Sequence, residues 1–338
     1  MNIPYRTRCA LKRGGQILLA VFSVALVVWL CWMLWLNRYV IYTREDGAVL
    51  DFQQSAQLPE GEVARPPEKE NVSIYYNEGD NAVNTSRELT QLNGYYIDTE
   101  ALQGGIDTVM EQLKALPKDV PVLVDVKSIY GNFFYSSTVS SNRSSTISTE
   151  DMDKLLDYLK KNGTYTIARV PALRDYNYGL HHVSDGLPTA GGYLWMDDDS
   201  CYWLNPDSEG TISYLVQIVN ELKEKGFSEV LFTDFYFPQT DAIVFKGDKT
   251  EALSKAASTL VTTCGSDYFC VSFLWETDFA LPEGKCRLYR KDAQASELQS
   301  IAQSSGLTDT ATQLVFLTEI HDTRFDEYSV LRPLSAAH

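Results

Sequence analysis

Four acidic residues close or follow short apolar runs in this chain of 338 residues: Asp125 in PVLVDVK, Asp234 in KGFSEVLFTDFYFP, Glu276 just beyond YFCVSFL, and Glu319 in QLVFLTEI. Parallel strands present ligands at their carboxyl ends, so acids placed there are candidates for chemistry. Two such acids can act together on a glycosidic bond, one held protonated for the leaving oxygen and one ionised as nucleophile or base. Their carboxyls then stand roughly 5 Å apart for retention, or roughly 6.5 to 9.5 Å apart for inversion. Asp234, Glu276 and Glu319 are the candidate catalytic acids. The competing structural readings are a loop cap for Asp234, solvated surface acids for Glu276 and Glu319, and a salt bridge from Asp125 to Lys127 or Arg169.

The segment from Tyr176 to Asn205 concentrates aromatic side chains whose flat faces could hold a sugar ring. Tyr176, Tyr178, Tyr193, Trp195, Tyr202, Trp203 and Asn205 lie there, and Tyr236 and the strand-end polar residues Asp125, Lys127 and Arg169 join them as candidates for substrate binding. His181 and His182 are adjacent, so their side chains splay apart; with no third ligand at metal spacing they read as loop residues. No G-x-S-x-G, CxxC or glycine-rich dinucleotide fingerprint occurs, and neither metal nor cofactor is expected. The formal net charge of -16 argues against nucleic acid as a partner, because phosphate binding rests on Lys and Arg.

The elements that must position these residues alternate between strand and helix from Gly94 onward. Strands are expected at 94–99, 121–127, 165–171, 229–235, 268–274, 287–290 and 313–320. Helices are expected at 105–116, 149–161, 211–225, 249–263 and 296–305, the second capped by Ser148 or Thr149. Such alternation makes crossover units on a parallel sheet, and its length fits an α/β fold, a (β/α)8 TIM-like barrel. Seven strands are countable. The eighth comes from 328–331, or closure is imperfect; a doubly wound open sheet is the alternative.

Ahead of the barrel, the uncharged run Ile17–Leu36 has the length of a membrane-crossing helix. Arg6, Arg8, Lys12 and Arg13 precede it, which places residues 1–16 in the cytoplasm and the body outside the cell on an uncleaved signal anchor. Residues 37–93, with Pro59, Pro66 and Pro67 among many charges, read as a stalk, and 94–338 as the barrel domain. An extracellular body permits disulfides among Cys201, Cys264, Cys270 and Cys286. Of three connectivities, Cys264–Cys270 with Cys201–Cys286 is favoured.

The segments GYYIDTEAL, VLVDVKSIYGNFFYSS, TIARVPALRD, GYLWMDDDSCYWLNP and KGFSEVLFTDFYFP, in this order and spacing, together resemble a family of bacterial, often membrane-anchored proteins known as putative glycosyl hydrolases with a TIM-barrel domain. The resemblance covers most of 94–238 and implies a carbohydrate-directed barrel distantly related to amylase-like and chitinase-like barrels, in which Trp195, Trp203 and Asn205 are the favoured substrate-binding residues of the aromatic segment. Amylase-like barrels keep their acids after the fourth, fifth and seventh strands, where Asp234, Glu276 and Glu319 fall. The chain departs from the family's D-Y-V-R-F-P strand end: T-D-F-Y-F-P moves the acid one residue on and puts Tyr236 where the arginine stands. A shift of one residue turns a side chain to the opposite face of a strand unless the strand end bulges. The expected function is therefore glycoside hydrolysis on a cell-wall or environmental carbohydrate. The alternative is a catalytically inactive barrel that binds glycan or an envelope protein.

Overall fold

The computed structural model describes residues 25, 26, 28, 29, 32, 40–43, 47–50 and 89–337. The chain divides into two compact units, Met1–Asn81 and Ala82–His338. In the first, Ala25, Leu26, Val28, Trp29 and Trp32 are helical, and strands β1 (Val40–Thr43) and β2 (Gly47–Leu50) form an antiparallel pair. Among the described residues no helix is long and apolar enough to cross a membrane. Most of the run 17–36 lies outside the described residues.

In the second unit eight parallel strands close into a barrel in the order β10-β3-β4-β5-β6-β7-β8-β9. They are β3 (Asn93–Ile97), β4 (Val122–Asp125), β5 (Thr166–Pro171), β6 (Glu229–Thr233), β7 (Cys270–Leu274), β8 (Leu288–Lys291), β9 (Leu314–Leu317) and β10 (Ser329–Pro333). This is the TIM-like (β/α)8 architecture. Closure is complete: β10 pairs with β9 and with β3, which settles the eighth strand and removes both sheet edges. The helices are α1 (Thr99–Gly104), α2 (Ile106–Ala115), α3 (Thr149–Lys161), α4 (Tyr176–His181), α5 (Glu209–Lys225), α6 (Lys249–Cys264), α7 (Leu298–Ser304) and α8 (Thr310–Gln313). α3 starts where Ser148 Oγ accepts the Asp151 N–H, and α5 stops at Gly226, whose φ of 97° suits a residue without Cβ. The crossover from β7 to β8 contains no helix.

Alternation along each strand divides the apolar residues between two cores. Leu123, Ile167, Leu231, Leu274, Tyr289, Val315 and Leu331 fill the barrel, while Val124, Ala168, Val170, Val230, Phe232, Val271 and Phe316 face the helices. The amino-terminal end of the barrel is closed by charge. Glu229, fully buried, accepts from Arg287 Nη1, Tyr165 OH at 2.8 Å, Tyr289 OH at 2.8 Å and Ser272 Oγ at 2.6 Å. Arg287 spends its other donors on the carbonyls of Thr312 and Thr90, both at 2.9 Å. Each charge is thereby compensated within the protein.

The expected disulfides are corrected here: Cys201, Cys264, Cys270 and Cys286 are all free and buried. Cys270 turns into the barrel, with Sγ 3.3 Å from Ser272 Oγ, whereas Cys264 packs between sheet and helices. Closeness in sequence does not bring them together, because the sheet stands between. Cys201 lies against the Ile129 carbonyl in a loop beyond the strand carboxyl ends, and Cys286 precedes β8 at the opposite end.

Candidate active site

The end of β6 contains one extra residue. Phe232 and Phe235 both face outward, 5.9 Å and 4.7 Å from the Phe273 ring, although alternation would put residues two apart, not three, on one face. Asp234 takes up the difference with φ 52°, a left-handed conformation that Asp tolerates better than most residues. The ladder records the same irregularity: consecutive N–H groups of Ala172 and Leu173 donate to the consecutive carbonyls of Thr233 (2.8 Å) and Asp234 (3.3 Å). This bulge offsets the displacement of the acid relative to the family pattern and brings Asp234 to the mouth of the barrel.

At the mouth Asp234 meets Glu276, which follows β7: the Asp234 N–H donates to Glu276 Oε2 at 3.2 Å. Thr233 Oγ1 donates to Asp234 Oδ2 at 3.0 Å, and Arg174 Nη1 stands 3.9 Å from Oδ1. Burial pushes the Asp234 carboxyl above its ordinary range, opposed by the Thr233 hydrogen bond and by the charges of Arg174, Lys291 and Lys127. Burial first, and the charge of Asp234 second, raise Glu276 to about 7. Its side chain keeps contact with solvent. Tyr236 is pushed up to about 12 by burial, then by Asp234 and Glu276.

The remaining candidates divide by location. Trp203 is buried; its Nε1 donates to Asp197 Oδ2 at 2.8 Å and its ring lies 4.9 Å from Tyr236 and 6.4 Å from Trp195. Trp203 therefore braces the wall, while Trp195 is only half buried. The Asn205 side chain accepts the Asp207 N–H at 3.0 Å in a turn. Asp125 is consumed by Arg169, which donates to both its oxygens, and by Thr99 N and Oγ1 at 2.8 and 2.7 Å. Lys127 does not pair with Asp125; its Nζ forms a fully buried ion pair with Asp175 Oδ2 at 2.7 Å. Glu319 is exposed on the Tyr96 side of the mouth, where, after burial, its charge raises the Tyr96 hydroxyl. Asp234 and Glu276 are thus brought together with Tyr236, whereas Glu319 acts on Tyr96.

Sequence reasoning missed Arg174, Asp197 and Lys291. Arg174 lies three residues past β5 in TIARVPALRD and donates Nε to Asp197 Oδ2 at 2.6 Å and Nη2 to Asp199. Burial raises the Asp197 carboxyl, but hydrogen bonds from Arg174, the Cys201 N–H and Trp203 outweigh it and leave the pKa lowered. Lys291 ends β8 and its charge reaches both acids. The available signal was position: each follows a strand end or falls in a segment that carries the family pattern. Among the described residues no cluster of three or more metal-ligating side chains occurs.

Residues 99–265 match the model of a family described as putative glycosyl hydrolase domain. No curated protein matches the chain. Among solved structures, a hypothetical protein from Ruminiclostridium thermocellum ATCC 27405 is 22% identical over 53% of this chain and 96% of its own, with a TM-score of 0.42. The α-galactosidase from Lactobacillus brevis is 9% identical, covering 73% of this chain and 38% of its own, with a TM-score of 0.49. The β-N-acetylhexosaminidase from Bacteroides fragilis NCTC 9343 is 7% identical, covering 69% and 50%, with a TM-score of 0.45. The chain spans half or less of the length of these two enzymes.

Proposed function

Starting from a chain whose residues 99–265 match this glycosyl hydrolase family, we propose a membrane-anchored glycoside hydrolase that acts outside the cell on a cell-wall or environmental carbohydrate. The observation that carries the reading is the pairing of Glu276 with Asp234. With its pKa raised to about 7, Glu276 is protonated in a large share of molecules at neutral pH and donates that proton to the leaving oxygen. Asp234, which Arg174, Lys291 and Lys127 draw back toward ionisation, is the nucleophile or base. Trp195 and Tyr236 offer ring faces to the sugar, and Trp203 holds them in place. The anchor is the uncharged run 17–36, supported by the exposed helical side chains of Leu26, Val28, Trp29 and Trp32, which in lipid would not face water.

A barrel that binds glycan or an envelope protein without turnover is the second reading, favoured by Tyr236 standing where the family pattern has arginine. One experiment separates them. Asp234→Asn and Glu276→Gln, each nearly isosteric, are expected to lower turnover of a glycan panel by about a hundredfold or more while glycan binding persists. Turnover equal to wild type would overturn the catalytic assignment. A wild-type protein that binds glycan and turns none over would select the second reading.

A further inference from the structure

A cavity of about 600 Å³ opens away from the acid pair, among the segment 131–142 after β4, helix α4 and the first turns of α5. All three lie at the carboxyl-terminal end of the barrel, yet neither Asp234 nor Glu276 lines the cavity. One wall is a stack of three rings: His182 on Tyr178 at 4.1 Å and 12°, and Tyr178 on Tyr214 at 4.0 Å and 18°. The stack is fixed from behind. Tyr178 OH lies 2.9 Å from Asp185 Oδ2 and 3.0 Å from the Gly210 carbonyl, and Tyr214 OH donates to Asp175 Oδ2 at 2.8 Å. Asp175 in turn holds Lys127, whose charge acts on Asp234, so the back of the stack is continuous with the mouth.

The chemistry of the lining selects a ligand. No Lys or Arg lines the cavity, so it holds no fixed positive charge to recruit an anion. Its one carboxylate, Asp185, is already engaged by Tyr178 and by Ser208 Oγ at 2.7 Å. Nδ1 of His181 and of His182 donates to the carbonyl four residues back, at 2.8 and 3.1 Å, which leaves Nε2 for a ligand hydroxyl. The other polar groups are neutral amides and hydroxyls, among them Asn142, Asn177, Ser213 and Gln217. The exposed His182 end of the stack, among neutral donors and acceptors, complements a polyhydroxylated ring that stacks its C–H face and hydrogen-bonds its rim. We propose that this cavity is a second carbohydrate site, which holds a neutral sugar unit apart from the reacting bond. The inference rests on the carbohydrate reading above for the ligand's class, and not on hydrolysis.

Calorimetry on the full chain tests it, with N-acetylchitotetraose, cellotetraose and maltotetraose as neutral probes and a hyaluronan tetrasaccharide as the anionic one. The parent is Asp234→Asn, which prevents turnover. Two cavity variants are compared with it: Ser213→Trp, which fills the space from the exposed face of α5, and His182→Ala with Gln217→Ala, which strips the platform. At least one neutral probe should bind saturably and weaken by about tenfold or more in both variants, with thermal unfolding unchanged. Binding that both variants retain, no binding of any neutral probe, or tighter binding of the anionic probe would overturn the proposal. The two readings fail separately. A wild-type chain without turnover whose probe binding depends on the cavity refutes hydrolysis alone, and an active chain whose probe binding ignores the cavity refutes this site alone.

Discussion

Asp234 depends on the cations around it, and that dependence gives the candidate site a pH signature. An acid catalyst must be protonated, so activity should fall as pH rises through about 7, where Glu276 loses its proton. The partner must be ionised, so activity should also fall as pH drops toward the raised pKa of Asp234. Arg174→Met removes the guanidinium 3.9 Å from Asp234 and leaves burial less opposed. The acid limb of the kcat/KM profile should then move to higher pH while the alkaline limb stays, which narrows the bell. An unmoved acid limb would show that Arg174 serves Asp197 and Asp199 alone.

At the level of elements, the decisive feature is a single inserted residue at the end of β6. The bulge allows T-D-F-Y-F-P to keep both Phe232 and Phe235 in the outer core while Asp234 meets Glu276. Its cost is a non-glycine residue at φ 52°, a conformation that Asp and Asn adopt far more readily than β-branched residues. Asp234→Asn should therefore leave stability within about 0.5 kcal/mol of wild type, whereas Asp234→Val should lose roughly 1–3 kcal/mol in urea unfolding. Equal stability of the two variants would mean that the strand end relaxes and that the bulge is not fixed by the phenylalanines on either side.

At the scale of the whole barrel, the candidate site lies at one end and a fully paired charge cluster at the other. Arg287→Met would strand Glu229 in the interior with only hydroxyl donors, at an expected cost of about 3–5 kcal/mol in chemical denaturation. The double variant Arg287→Met with Glu229→Gln should recover part of that loss, because the uncompensated charge is gone. A single variant as stable as wild type would show that water reaches this end of the barrel. Topology is tested separately. The positive residues before Ile17 predict that protease added to intact cells removes residues 94–338 and spares the N-terminus, and full protection of the chain would reverse the orientation.

The alternating pattern alone indicated parallel crossover units, with a barrel favoured over a doubly wound open sheet, and the approximate bounds of the long elements, because apolar periodicity, Ser148 at an N-cap and Gly226 past a helix end act within a few residues of chain. It also marked Asp234 and Glu276 as strand-end acids. Tertiary structure decided what depends on distant partners. The eighth strand, SVLRP, offers only two consecutive apolar residues before Arg332 and Pro333, and pairing with both β9 and β3 defines it. The cysteines are kept apart by the sheet, a barrier that sequence spacing does not register. Short helix α4, within a stretch that reads as loop, is stabilised by Asp175, which caps it through Oδ1 while Oδ2 holds Lys127 and Tyr214. The pairing of Asp234 with Glu276 and Arg174 required an extra residue whose reason lies in how Phe232 and Phe235 pack on Phe273, a contact made across 38 or more residues of chain.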